Sequence, residues 1–260
     1  MPCAEFAPKL PLPGFAEQLR VSRILRLRAQ STRGTRLRAG TVSSPGNIED
    51  TEGQTGLMTA KSEKADRESS LESYHSKRDF SRSREPEGRT AGSSDAPIFV
   101  IQKHDASNLH YDFRLEVDGV LKSWALPKGP STDPSEKRLA VETEDHPLDY
   151  ADFEGVIPEG EYGAGTVLIW DRGTYENITE KDDDLRPIQD ALEAGHVLFR
   201  LEGEKISGGY ALQRFDDDKD QWLLVKMDDE AADARRNPVS TEPLSVASGR
   251  DLDEIVEDDR

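Results

Sequence analysis

The sequence predicts a mainly β fold, a β-barrel or a sandwich, with one or two short helices and a disordered N-terminal extension. Three observations predict it. Eight short apolar or alternating runs lie between residues 98 and 226, separated by Gly, Pro and Asp turn signals. Only one segment in that stretch has a convincing helical pattern. The texture also changes abruptly at Pro97, because the preceding residues are dominated by Ser, Thr, Arg, Gly and Glu with weak hydrophobic periodicity. Many short strands at this spacing favour a barrel or sandwich. The chain divides into an extension over 1–70, a folded domain over 71–230 and an acidic C-terminal tail over 231–260.

Each element follows from local chemistry. In the extension, Arg20 to Arg38 is a basic stretch that reads as a disordered tail, a helix or a nucleic-acid arm. A start of translation at Met58 would exclude it. Ser69 to Tyr74 suits a short helix, and Glu85-Pro86-Glu87-Gly88 breaks the chain. The strand candidates are Ile98 to Gln102, Leu109 to Glu116, Val120 to Ala125, Arg138 to Glu142, Gly165 to Trp170, His196 to Leu201, Gly209 to Gln213 and Gln221 to Lys226. Asp118-Gly119 is a hairpin turn signal. Ile188 to Ala194 is the helix, closed by Gly195. Asp251 to Arg260 is expected to be frayed.

Composition narrows the function classes. Only 34% of the 260 residues are hydrophobic, which is thin for a fully globular chain. The single cysteine, Cys3, excludes an internal disulfide and a cysteine-based zinc site. No apolar run approaches the roughly 20 residues needed to cross a bilayer, and arginines interrupt the apolar stretches near the N-terminus, so a cytoplasmic protein without a membrane partner is expected. The net charge is −18, made up of +3 over the first 57 residues and −21 over the rest. Such a balance opposes extensive contact with nucleic-acid phosphates. A salt-rich cytoplasm, where screening acts within a few ångströms, would remove the conflict.

The informative segment runs from His104 to Glu116. Alternation along a strand puts His110, Asp112, Arg114 and Glu116 on one face, and Tyr111, Phe113 and Leu115 on the other, toward a core. His110 and Asp112 can ligate one divalent cation with His104 returning from the preceding turn. Two imidazoles and a carboxylate suit Mn²⁺, Zn²⁺, Fe²⁺ or Co²⁺. Arg114 would then stand near the metal with a guanidinium suited to phosphate oxygens, an arrangement that stabilises charge on a transferring phosphoryl group. The plainer reading is the solvated face of an edge strand. His146, in the loop-like run Glu144 to Tyr150, reads as a general acid, a phosphate ligand or an ordinary turn histidine. His75 and His196 have no such company. The glycine-rich run Gly155 to Thr166 lacks the lysine and helix of a phosphate-binding loop, and reads as tight turns.

The run from Phe99 to Tyr175 closely resembles the 3′-phosphoesterase domain of bacterial ligase D and its stand-alone archaeal and bacterial forms. The resemblance is carried by Gln102 to Ser107, Leu109 to Glu116, Leu121 to Ala125, Pro127 to Pro130, Glu144 to Tyr150, Phe153 to Gly155, Ile157 to Thr166 and Trp170 to Gly173. It implies a small closed β-barrel and a Mn²⁺-dependent enzyme (Co²⁺ or Zn²⁺ being further candidates) that heals DNA 3′ ends during end joining. A terminal ribonucleoside and then the 3′-phosphate would be removed. It further implies metal ligation by His104, His110 and Asp112, and catalytic or phosphate-binding roles for Arg114, His146 and Tyr150. Lys128 and Arg138 would make secondary phosphate contacts, and Arg78, Asp79 and Glu85 would belong to a segment folded over the site. Glu116-Val117-Asp118-Gly119 lacks the lysine of a ligase nucleophile motif. A stand-alone enzyme is therefore expected, acting on DNA 3′ ends alongside separate ligase and polymerase chains, and a monomer is the default since nothing in the sequence argues for an oligomer interface. Two other functions remain open at this stage: a metal-dependent phosphodiesterase for RNA or small nucleotides, and a non-catalytic module that binds DNA ends.

Overall fold

The computed structural model describes residues 69–88 and 96–259. The basic stretch Arg20 to Arg38 and the possible start at Met58 lie outside the described residues.

The eight anticipated strands are the eight staves of a closed antiparallel barrel. They are β1 (Ile98–Asp105), β2 (Leu109–Val117), β3 (Val120–Leu126), β4 (Lys137–Pro147), β6 (Gly165–Asn177), β9 (His196–Gly203), β10 (Ser207–Asp216) and β11 (Gln221–Lys226). Their order is β1-β2-β3-β4-β11-β10-β9-β6, and pairing of β1 with β6 closes the ring. Closure leaves the staves without free edges. Three short strands complete the set: β5 (Gly155–Ile157), which pairs with β6, and β7 (Glu180–Lys181) with β8 (Asp184–Leu185). The β2–β3 hairpin turns on Asp118 and Gly119, at φ 51° and 82°, the mirror-image turn that suits strand twist.

The barrel interior is filled by alternate residues. Phe99 and Ile101, Tyr111, Phe113 and Leu115, Trp124, Trp170, Phe199, Tyr210 and Trp222 form one continuous core. The helix α2 (Ile188–Glu193) adds Ala191 and Leu192 to it, and Gly195 follows at φ 72° as expected of a residue ending a helix.

A second apolar cluster covers part of the barrel's outer wall. It joins Val100, Leu121, Val167 and Ile169 to Leu71 and Tyr74 of the N-terminal segment, to Tyr150 and Phe153, and to Ile157 of β5. Tyr74 belongs to α1 (Glu72–Ser76), and Tyr150 to a 3₁₀ turn, Leu148–Asp152. The outward face of β2 is therefore largely covered, with Asp112, Arg114 and Glu116 buried and His110 half-buried. This corrects the reading of that face as a solvated edge.

Three further expectations are corrected. His104 lies on β1, opposite His110, rather than in a turn, because β1 runs three residues beyond Gln102. His146 lies on β4 rather than in a loop, opposite Leu121. The C-terminal residues are ordered: α3 (Pro238–Thr241) is followed by α4 (Leu252–Asp258), with Asp251 and Glu254 forming a capping box and Ile255 joining the barrel core. No helix among the described residues is long and apolar enough to cross a membrane.

Candidate active site

The site is built on the outer face of β1 to β4, under the second layer. Strand pairing places Gln102 opposite Asp112 and His104 opposite His110, then Arg114 opposite Ser123. All these side chains share one parity, outward, while their sequence neighbours enter the barrel. β4 adds His146 through an irregularity. Leu121 pairs with His146 but Ser123 with Thr143, so three steps on β4 match two on β3. That extra residue lets Thr143 and His146 line the same cavity. The cavity has a volume of about 290 Å³, at the small end of ligand pockets.

His104, His110 and Asp112 offer ligand atoms that all lie within 4.8 Å of one another. Their second nitrogens are fixed by backbone carbonyls: His104 Nε2 bonds to the Gly163 oxygen and His110 Nδ1 to the Asn108 oxygen, both at 2.9 Å. A carbonyl only accepts, so those nitrogens carry the protons. Nδ1 of His104 and Nε2 of His110 then face the Asp112 carboxylate at 3.6 and 3.5 Å. Lone pairs opposing a carboxylate need a proton or a cation between them. Burial opposes ionisation of Asp112, but Arg114 and both histidines outweigh it and hold its carboxyl well below the usual range. His110 is pushed up from its ordinary value, because the bond to Asp112 outweighs burial. The donor set therefore fits a divalent cation, with backbone acceptors orienting both rings.

Arg114 is held on three sides. Its Nε donates to Gln102 Oε1 at 2.8 Å, Nη1 to Ser123 Oγ at 2.8 Å, and Nη2 to Asp112 Oδ2 at 3.1 Å. The guanidinium lies 4.9 Å from the centre of the Tyr150 ring. Gln102 is itself anchored, its Nε2 donating to the carbonyls of Tyr150 and Phe153 at 3.0 Å.

His146 sits between two guanidiniums. Nδ1 lies 2.9 Å from both the Glu144 carbonyl and Arg114 Nη1, and Nε2 lies 3.2 Å from Arg78 Nη2. A proton on Nδ1 satisfies the carbonyl and leaves Nε2 to accept from Arg78. A proton on Nε2 would let Nδ1 accept from Arg114 but would oppose both the carbonyl and Arg78, so the first tautomer satisfies more of the partners. Burial, then Arg114 and Arg78, push its imidazolium well below the usual range. His146 is neutral at neutral pH.

The N-terminal segment closes over this face. Arg78 binds Glu85 at 2.8 Å and Glu144 at 3.2 Å, and Glu85 accepts the Tyr150 hydroxyl at 3.1 Å. Burial and Glu85 raise the Tyr150 phenol well above its ordinary range. Its hydroxyl is thus a donor to Glu85, and its ring supports Arg114. Lys77 reaches Glu144 at 3.1 Å. Asp112, Glu85 and Glu144 balance Lys77, Arg78 and Arg114 in charge, so a divalent cation would leave the cavity positive.

Of the residues expected at the site, His104, His110, Asp112, Arg114, His146, Tyr150 and Arg78 line the cavity, and Glu85 stands behind Tyr150. Asp79 does not reach it: its exposed carboxylate caps the Ser81 turn. Lys128 is exposed, outside the lining. Arg138 pairs with Glu136 and shares its strand parity with Ala140, which enters the barrel, so it belongs to the opposite face of β4. Sequence reasoning passed over Gln102, Ser123 and Glu144. Strand parity extended one pair back from His104 would have found Gln102.

Known proteins resemble the stretch of chain that carries this site. Residues 102–214 match the family model of the DNA Ligase D 3′-phosphoesterase domain. A multifunctional non-homologous end joining protein LigD of Pseudomonas aeruginosa is 53% identical over 188 residues, covering 70% of this chain and 22% of that protein. A multifunctional non-homologous end joining DNA repair protein LigD of Mycobacterium tuberculosis is 48% identical over 158 residues, covering 60% and 20%. The chain spans about a fifth of the length of these relatives.

Proposed function

We propose, from the premise that residues 102–214 are a ligase D 3′-phosphoesterase domain, that this protein is a divalent-metal-dependent hydrolase that heals DNA 3′ ends for end joining. On this reading it removes a terminal ribonucleoside and then the 3′-phosphate. The observation that carries the reading is the convergence, in one cavity, of a His-His-Asp ligand set with two guanidiniums. Arg114 donates to the same Asp112 oxygen that faces His104, so a phosphate at the metal would also meet Arg114.

A bound cation, Mn²⁺ in this proposal, would polarise the phosphoryl oxygen and offset developing charge. The side chains do the rest. Gln102, Ser123 and Asp112 fix Arg114 before substrate arrives, so no reorganisation is needed when charge develops on the phosphorus. Arg78 supplies a second guanidinium across the cavity, tied in place by Glu85 and Glu144. His146 separates the two and, being neutral with Nε2 turned to Arg78, acts first as a fixed polar spacer. An arriving phosphate dianion would favour its protonation, and only then has it a proton for a leaving oxygen.

The test is a labelled primer–template ending in one ribonucleotide, incubated with Mn²⁺ at low and high salt, with an RNA-only strand in parallel. Stepwise conversion to a 3′-phosphate and then a 3′-hydroxyl, absent in His110→Ala, is expected. Absence of cleavage under every condition would overturn the proposal and leave end binding alone. Faster cleavage of the RNA strand would move the substrate class to RNA.

A further inference from the structure

Next to the metal ligands, the glycine-rich run forms a loop between β5 and β6. Turn bonds join Glu161 to Pro158 and Ala164 to Glu161. Gly163 adopts φ 76°, which aims its carbonyl at His104. Gly165 packs so tightly that a Cβ there would stand 2.3 Å from the Asp105 carbonyl oxygen. The loop is therefore pinned to β1 on one side of the ligand set. Arg82 pins it again from the N-terminal segment, through Glu161 at 2.7 Å.

Within this fixed loop the residue before Gly163 is Tyr162. It lines the cavity, yet 47% of it is exposed. Scattered exposed aromatics are ordinary, but this one has particular neighbours. Lys77 Nζ stands over its ring at 4.7 Å, and the Arg78 guanidinium lies 5.4 Å from its centre. Its hydroxyl is 3.4 Å from Glu144. An accessible ring beside cations, next to a phosphate-sized site, is the arrangement by which proteins hold an unpaired base. The cavity volume suits a phosphate with one nucleoside, not a length of duplex.

Resting on the phosphoesterase reading above, we propose that Tyr162 is the stacking platform for the base of the departing 3′-terminal nucleoside. It is a specificity determinant for the nucleoside-removing step alone. A 3′-phosphate end carries nothing beyond its phosphate, and its hydrolysis would not use Tyr162. Stacking is tolerant of base identity, because every base offers a π face.

The experiment compares wild type, Tyr162→Ala and Tyr162→Phe on three primer ends: a 3′-ribonucleoside, the same sugar without its base, and a 3′-phosphate. Fluorescence of a terminal 2-aminopurine ribonucleotide is read alongside as a measure of stacking. Tyr162→Ala is expected to lose roughly five- to hundred-fold in kcat/KM on the ribonucleoside end. It should match wild type on the other two, and Tyr162→Phe should retain activity on all three. Equal losses on every end would overturn the proposal, assigning Tyr162 to loop structure or to Lys77. So would an unaffected ribonucleoside end, or a wild type indifferent to removal of the base. Wild type that quenches 2-aminopurine without cleaving any end would overturn the hydrolase reading and support the stacking platform.

Discussion

Gln102→Leu isolates the frame that holds Arg114. Gln102 is fully buried and makes three hydrogen bonds, one to the Arg114 guanidinium and two to the carbonyls of Tyr150 and Phe153. Leucine keeps the volume and removes all three. A hydrogen bond to a charged group contributes about 1.5–3 kcal/mol and a neutral one about 0.5–1.5, which together make about 2.5–6 kcal/mol. Lowering of the melting temperature by roughly 5–20 °C is expected for a domain of this size. Free of Gln102, the guanidinium would also lose its fixed orientation, so kcat with a 3′-phosphate end should fall at least ten-fold at a temperature where the variant remains folded. Divalent-cation affinity should change little, since none of the three Gln102 side-chain hydrogen bonds goes to His104, His110 or Asp112. Calorimetry and single-turnover cleavage measure the two effects separately. A folded Gln102→Leu protein with wild-type melting temperature and kcat would refute the reasoning.

Mn²⁺ should raise the melting temperature of the wild type in proportion to the logarithm of its concentration, and should leave Asp112→Ala unaffected. Glu85→Ala, which leaves Arg78 Nε and the Tyr150 hydroxyl without their acceptor, should cost about 2–4 kcal/mol in urea denaturation and lower kcat, whereas Asp79→Ala should alter neither beyond about 0.5 kcal/mol. Burial and two guanidiniums depress the His146 imidazolium, and burial depresses that of His196. The unfolded chain therefore binds protons that the folded one refuses. Their contribution to stability is complete above about pH 6.5 and is lost as pH falls toward the folded values, with His110, raised, acting in the opposite sense. His146→Gln should flatten the decline seen in urea midpoints between pH 6.5 and 5.

All eight staves were legible, because barrel-facing residues alternate over runs long enough to read. His110 and Asp112 were legible as one face for the same reason, whereas the strand position of His104, the third candidate ligand, was not. What escaped notice escaped for physical causes. β1 ends in Lys103-His104-Asp105, polar on both faces, so its last turn of strand read as a turn. β4 carries an extra residue between Thr143 and His146, which breaks the period of two on which face assignment depends. The second layer could not be read, because Tyr74 and Tyr150 are separated by 76 positions of sequence and meet only through folding. The C-terminal helix has just Leu252, Ile255 and Val256 as apolar residues, and its acidity suggested fraying. Its capping box, Asp251 with Glu254, was the local signal passed over.

The acidic balance that opposed a nucleic-acid function makes sense if the protein grips an end and not a duplex. Among the described residues the cations at the cavity are few: Arg78 and Arg114 within it and Lys77 at its rim, each tied to a carboxylate. With two or three phosphates neutralised, log KM should change with log salt by about 2–3 per decade. A protein tracking a long backbone with six to ten contacts would show a much steeper dependence. At the molar salt suggested by a net charge of −18, a shallow dependence is what preserves activity while the repulsion among surface carboxylates is screened. Stability should accordingly rise from dilute buffer to molar salt. KM for a 3′-phosphate primer–template, measured from 0.1 to 1 M salt, tests the footprint, and comparison with a chain beginning at Met58 isolates Arg20 to Arg38. A slope beyond about 5 in both chains would place further phosphate contacts on the folded domain and end the end-grip account. A slope that is steep only in the full chain would make that basic stretch a nucleic-acid arm.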